Sequence, residues 1–144
     1  MSSTEEVKTL LEKSKRKLKR AREAFNAEDY DSALGDAYRC VELAMRALLI
    51  AQGTTRLPKT HGGLLQLFAQ NLVETKIFPS ELAKKIGKLI SYRARADYEP
   101  IFTQREEAKE AIRISENFLT KTHEILKLSR LKSTSSRLPV HPSC

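Results

Sequence analysis

The strongest constraint on this chain is a set of apolar residues spaced three and four apart: Leu34, Ala37, Tyr38, Val41, Ala44, Met45, Leu48 and Leu49. That spacing matches the α-helical turn and gives one broad apolar face that needs neighbours to cover it. Asp29 or Asp31 is placed to cap the start of this helix, and Gly53 stands where a C′ glycine would end it. The same period recurs on both sides. Ser3 with Glu6 forms a capping-box start, followed by Val7, Leu10, Leu11, Leu18, Ala21 and Phe25, with Ser14 on the same stripe. This predicts a first helix running to about Phe25.

Beyond the loop 53–59, Thr60 is positioned to cap a shorter helix carrying Leu64, Leu65, Leu67, Phe68 and Leu72. Pro79-Ser80 restarts the chain, with Ser80 as the predicted N-cap. Leu82, Ile86, Leu89 and Ile90 mark a fourth helix that Pro100 stops. Thr103 and Glu106 form a second capping box, ahead of Ala108, Ala111, Ile112, Ser115, Phe118, Leu119, Ile125 and Leu126. No alternating apolar run competes as a strand, and 5 Gly and 5 Pro in 144 residues are too few for the frequent turns of a β-sandwich. The expectation is an all-α, five-helix up-and-down bundle with three long helices and two short ones over residues 1–128. The Ser/Pro/basic remainder, 129–144, is expected to be a disordered tail.

Hydrophobic residues at 40% and charged residues at 31% fit a soluble globular domain. The net charge of +8 favours a phosphate-bearing or acidic partner, although Arg130, Lys132 and Arg137 place three of those charges in the expected tail. The stretch from Val41 to Ala51, interrupted by Glu42 and Arg46, is far too short to span a bilayer. The N-terminus lacks the basic-then-apolar order of a secretory signal, and Cys40 and Cys144 lie far apart with Cys40 inside a helical pattern. Cytoplasmic localisation, without membrane association, is the expectation.

His61, His123 and His141 are scattered and no Cys-x-x-Cys, P-loop or dinucleotide fingerprint is present, so neither a metal nor a cofactor is expected. The informative feature is on the fourth helix. The next helical steps after Leu82, Ile86, Leu89 and Ile90 are Arg93 and Asp97, two charges on a core-facing stripe. Such charges need pairing, a cavity or a second subunit. They predict either an internal salt bridge tying the helix to its neighbours or a polar site where an arginine meets phosphate, with Arg95 and Tyr98 beside them. A second candidate is the basic run on the first helix, including Lys15 and Lys19, as a surface for an RNA backbone.

In order along the chain stand Asp31-Ser-Ala-Leu34, Ala44-Met-Arg-Ala-Leu-Leu49, Lys59-Thr60-His61-Gly-Gly-Leu64, Tyr92-Arg93-Ala-Arg-Ala-Asp97-Tyr98 and Phe118-Leu119. This series, over about residues 5–126, resembles the HEPN domain family, in particular its free-standing single-domain archaeal and bacterial branch. The resemblance implies a homodimer that brings two fourth-helix motifs together across a cleft. It also implies RNA or nucleotide binding and the toxin role in a pair with a minimal nucleotidyltransferase as antitoxin. Many members are metal-independent ribonucleases whose motif is an arginine followed several residues later by histidine. Arg93 matches the arginine, but Tyr98 stands where histidine often does. A phenol, with an ordinary pKa of about 10, is a poor general base at neutral pH. Tyr98 is left to hold phosphate, donate a hydrogen bond or accept a modification. On this resemblance Arg93, Asp97 and Tyr98 form the candidate catalytic set, with Arg93, Arg95, His61, Lys59, Lys15 and Lys19 as phosphate or RNA contacts. A non-catalytic module docking onto a nucleotidyltransferase is the alternative.

Overall fold

The computed structural model describes residues 3–136. It contains the five predicted helices: α1 (Ser3–Asn26), α2 (Tyr30–Ala51), α3 (His61–Phe68), α4 (Ser80–Tyr98) and α5 (Arg105–Ser136), with a π-helical turn, Ala69–Val73, extending α3. Among the described residues there is no strand. α2 is the central element, packed against α1 and α5 along its length, against α4 on a third side and against α3 near its middle. α4 is long rather than short, at 19 residues.

Two serines set how closely the long helices approach. Ser14 Oγ on α1 donates to the Cys40 carbonyl at 2.8 Å, and Ser115 Oγ on α5 donates to the Ala37 carbonyl at 2.8 Å. A small hydroxyl that satisfies itself on the neighbouring backbone lets helices pack closely without an orphaned polar group. Cys40, beside Ser14, is a buried free thiol that burial pushes up to about 11. At the α3–α4 end, Phe68, Phe78 and Phe118 stack with centroids 4.6–5.7 Å apart. Phe78 lies in a connection, outside any helical period, and its N–H donates to the Leu72 carbonyl at 2.8 Å.

Several predicted boundaries are corrected. Asp29, not Asp31, caps α2 by accepting the Ser32 N–H. Asp31 instead accepts both the N–H and the hydroxyl of Thr103, at 2.8 and 2.6 Å, and so fastens the entry to α5 onto α2. With Thr103 spent there, the cap of α5 moves one residue on: Glu107 accepts the Gln104 N–H. Pro79, extended at ψ 130°, takes the N-cap position of α4, and Ser80 is already helical, as is Ser3 in α1. α5 continues to Ser136, past the expected boundary at 128; residues 137–144 of the expected tail lie outside the described residues. No helix among the described residues is long and apolar enough to cross a membrane.

Candidate functional site

The site begins with a residue that does not belong in an apolar helix. Glu42 lies in the middle of α2 and is 1% exposed. A buried carboxylate is costly unless partnered, and two side chains partner it. Arg39 Nη1, one turn back on α2, donates to Oε1 at 3.1 Å, and His61 Nδ1, at the start of α3, meets Oε2. The turn before α3 holds His61 in place. Thr60 caps α3 by accepting the Gly63 N–H at 3.0 Å, and a Cβ at residue 63 would sit 2.8 Å from Thr60 Oγ1 and 2.9 Å from Pro58 Cβ. Only glycine fits that close approach. The same bond occupies the Gly63 N–H, which is therefore not free for an anion.

Tyr38, one turn before Glu42, joins α3 to α4. The His61 ring packs edge-on against the Tyr38 ring at 5.8 Å, and the Arg93 guanidinium lies over the same ring at 4.9 Å. Such a cation–π contact contributes about 0.5–1 kcal/mol at a partly exposed site. Burial first, then the Glu42 carboxylate, pushes the Tyr38 phenol upward, against the pull of Arg93. Arg46, one turn beyond Glu42, has a buried Nε without a hydrogen-bond partner among the described residues. Arg39 and His61 thus share one buried carboxylate, with Arg93 on the neighbouring Tyr38 ring.

Arg93 does not tie α4 to a neighbour through an ion pair. Its carboxylate partner among the described residues is Asp97 on the same helix, with Nε 3.7 Å from Oδ2, beyond hydrogen-bonding distance. The last turn of α4 projects from the core, so the apolar stripe gives out one step after Arg93. The Arg93 side chain is 38% exposed, that of Asp97 is 60% exposed, and Tyr98 is 88% exposed. Arg95 points elsewhere, to Glu107 on α5 at 3.3 Å and Glu99 at 3.9 Å. Lys59 is exposed in the loop before α3.

Lys15 and Lys19 are exposed on α1, which packs on α2 and α5. Lys15 lines a groove of about 280 Å³ between α1 and α5 with Arg22, Glu116 and His123. Burial and the Lys15 charge push the His123 imidazole down, and its Nε2 is buried without a hydrogen-bond partner among the described residues. The structure therefore brings His61, Arg93 and Asp97 to one place and leaves Lys15 and Lys19 in another.

Arg39, Glu42 and Arg46 were not among the sequence candidates. The signal was present, because Tyr38, Glu42, Met45 and Leu49 follow one another at spacings of four, three and four. A charge inside that series is as anomalous as Arg93 after Ile90. Among the described residues no three His, Cys, Asp or Glu side chains converge as a metal site.

Fold and site together define a helical bundle whose polar side chains gather between α2, α3 and the end of α4. The HEPN domain model matches residues 7–132, and the chain belongs to the HEPN family. A protein of Methanocaldococcus jannaschii described as a "putative toxin" is 32% identical over 122 residues, 84% of this chain and 82% of the relative. A second protein of that organism with the same description is 28% identical over 123 residues, 85% and 90% of the two chains.

Proposed function

We propose that this protein is a toxin-like HEPN protein that binds RNA or nucleotide phosphate at the cluster around Glu42, as a homodimer paired with a minimal nucleotidyltransferase antitoxin. The observation that carries the reading is the surplus of cations. Arg39 shares the buried Glu42 carboxylate with His61, Arg93 lies over the neighbouring Tyr38 ring, Arg46 has a buried Nε without a hydrogen-bond partner among the described residues, and the carboxylate beside Arg93, Asp97, is exposed and 3.7 Å away. A guanidinium held over an aromatic ring, without a strong internal acceptor, is prepared for phosphate oxygens. The toxin descriptions of the two relatives support the same role. At the end of α4, Tyr98, Ile101 and Phe102 are exposed together and offer an apolar surface to a second copy or to the antitoxin.

The alternative, a non-catalytic module that docks onto a nucleotidyltransferase, draws on that same apolar surface. RNA binding separates the two. Fluorescein-labelled RNA is titrated in EDTA at several salt concentrations. Arg93→Ala should weaken binding and lower the slope of log affinity against log salt by about one, as expected when one phosphate contact is lost. Unchanged binding in Arg93→Ala would move the RNA away from this cluster. Co-purification with a nucleotidyltransferase and no RNA binding would favour the docking module.

A further inference from the structure

We propose that His61, oriented by the buried Glu42 carboxylate, is the proton acceptor of an RNA-cleaving site, the role that Tyr98 is chemically unsuited to fill on α4. This rests on the RNA reading above and names the group that would turn binding into cleavage.

The contact with Glu42 fixes the direction of the imidazole. A carboxylate only accepts, so a ring nitrogen facing it carries the proton. Nδ1 faces Glu42, which leaves the lone pair of the neutral ring on Nε2 at the opposite edge. That edge belongs to a side chain 66% exposed, whereas the Glu42 side chain is 2% exposed. The carboxylate is anchored inside the bundle, and the imidazole it orients is largely open to solvent. A carboxylate fixing the tautomer of an imidazole whose other nitrogen is free is the arrangement of a general base.

Two further observations keep the ring from being an ordinary surface histidine. Its backbone is fixed by the Thr60 cap, and its ring packs in a T-shaped contact with Tyr38 at 5.8 Å. Arg93 lies over the same Tyr38 ring at 4.9 Å, so base and guanidinium flank one aromatic platform, with Arg39 on the other Glu42 oxygen.

The step is transesterification. His61 Nε2 takes the proton of a ribose 2′-hydroxyl, and the 2′-oxygen forms a bond to the adjacent phosphorus. The P–O5′ bond breaks, and the departing 5′-oxygen takes a proton from water. Products are a 2′,3′-cyclic phosphate and a 5′-hydroxyl, and the imidazolium returns its proton to solvent. No electrons change hands and no co-reactant beyond water is required. Arg93 and Arg39 would stabilise charge on the phosphoryl oxygens. Glu42 acts through His61 and is a positioning residue.

The test uses the full chain, EDTA and an end-labelled RNA, with binding and single-turnover cleavage measured separately. His61→Ala and His61→Gln change an exposed side chain and, at RNA concentrations that saturate each variant, should lose about 100-fold or more in cleavage rate, the lower end of general-base effects. Free imidazole should restore part of the rate to His61→Ala. Glu42→Asp should retain more rate than Glu42→Gln, and ¹⁵N spectra should show His61 protonated at Nδ1 in the wild type and a mixed tautomer in Glu42→Gln. Cleavage by His61→Ala within about 3-fold of wild type overturns the proposal. So does wild-type protein that binds RNA and leaves it intact, a result under which the RNA-binding reading stands. Wild-type protein that binds no RNA overturns both.

Discussion

The two sides of α4 carry similar residues and do opposite things with them. On the α5 side, Lys88 Nζ and Tyr92 Oη both reach Glu110, each at 2.7 Å, and Arg95 reaches Glu107 at 3.3 Å. Each of these charges has a partner across the helix pair, and Glu110 is held below the ordinary carboxylate range by its bonds to Lys88 and Tyr92. On the α2 side, Arg93 rests on a ring and faces an exposed aspartate, while Arg39 and His61 share one buried carboxylate. The first surface is closed on itself and joins two helices. The second has donors left over. The difference teaches that a charged residue near a helix interface marks a site only when its neighbours fail to use up its bonding capacity.

Tyr38 and Tyr92 both belong to or pack on one hydrophobic core that holds the three phenylalanines, so removing one of those rings sets the upper end of the scale. Phe118→Ala takes a fully buried ring from between Phe68 and Phe78, and should cost about 3–5 kcal/mol in urea unfolding. Both sides of α4 should unfold in that single transition.

Next in size is the contrast between the two carboxylates. Glu42→Ala removes charge-assisted bonds from inside the bundle, and should destabilise by about 1.5–3 kcal/mol. Glu110→Ala removes bonds at the partly exposed surface and should cost about 0.2–1 kcal/mol. Equal costs by urea titration would erase the distinction between the sides.

The closed side should also show itself in pH dependence. The Glu110 pKa is lowered in the folded state, so the unfolded chain binds its proton more tightly. The stability it contributes is present above the ordinary carboxylate pKa and is lost as pH falls through the depressed folded value. Glu110→Gln should flatten that acid limb of the stability curve, and a limb unchanged in the variant would show the clamp to be idle. Smallest is Asp97→Ala. An exposed i, i+4 pair is worth about 0.3–0.5 kcal/mol, so melting should barely move. A large loss would restore the structural salt bridge that Arg93 and Asp97 suggested by spacing alone.

The helices were legible because their apolar periods are long, and Ser14 and Ser115 sit on those periods where close approach requires a small residue. Caps were less so. Thr103 and Ser80 have the right chemistry, but a tertiary bond to Asp31 and the extended Pro79 decided where α5 and α4 begin. Phe78 was invisible because a connection has no period. For the site, Arg93 and His61 were identifiable one at a time, as a misplaced charge and as a helix start. What joins them, Tyr38 between and Glu42 beneath, depends on α2, α3 and α4 converging, which no spacing within one helix encodes. Lys15 and Lys19 show the converse, since a basic run on α1 is conspicuous in the sequence and lies apart from the cluster.

The most direct test is an amide and side-chain NMR titration of the protein with a short RNA. Resonances of Tyr38, Arg39, His61 and Arg93 should shift together and saturate at one affinity, while those of Arg95, Glu107 and Glu110 stay in place. Shifts confined to Lys15, Lys19 and their neighbours on α1, with the cluster around Glu42 unmoved, would contradict the account.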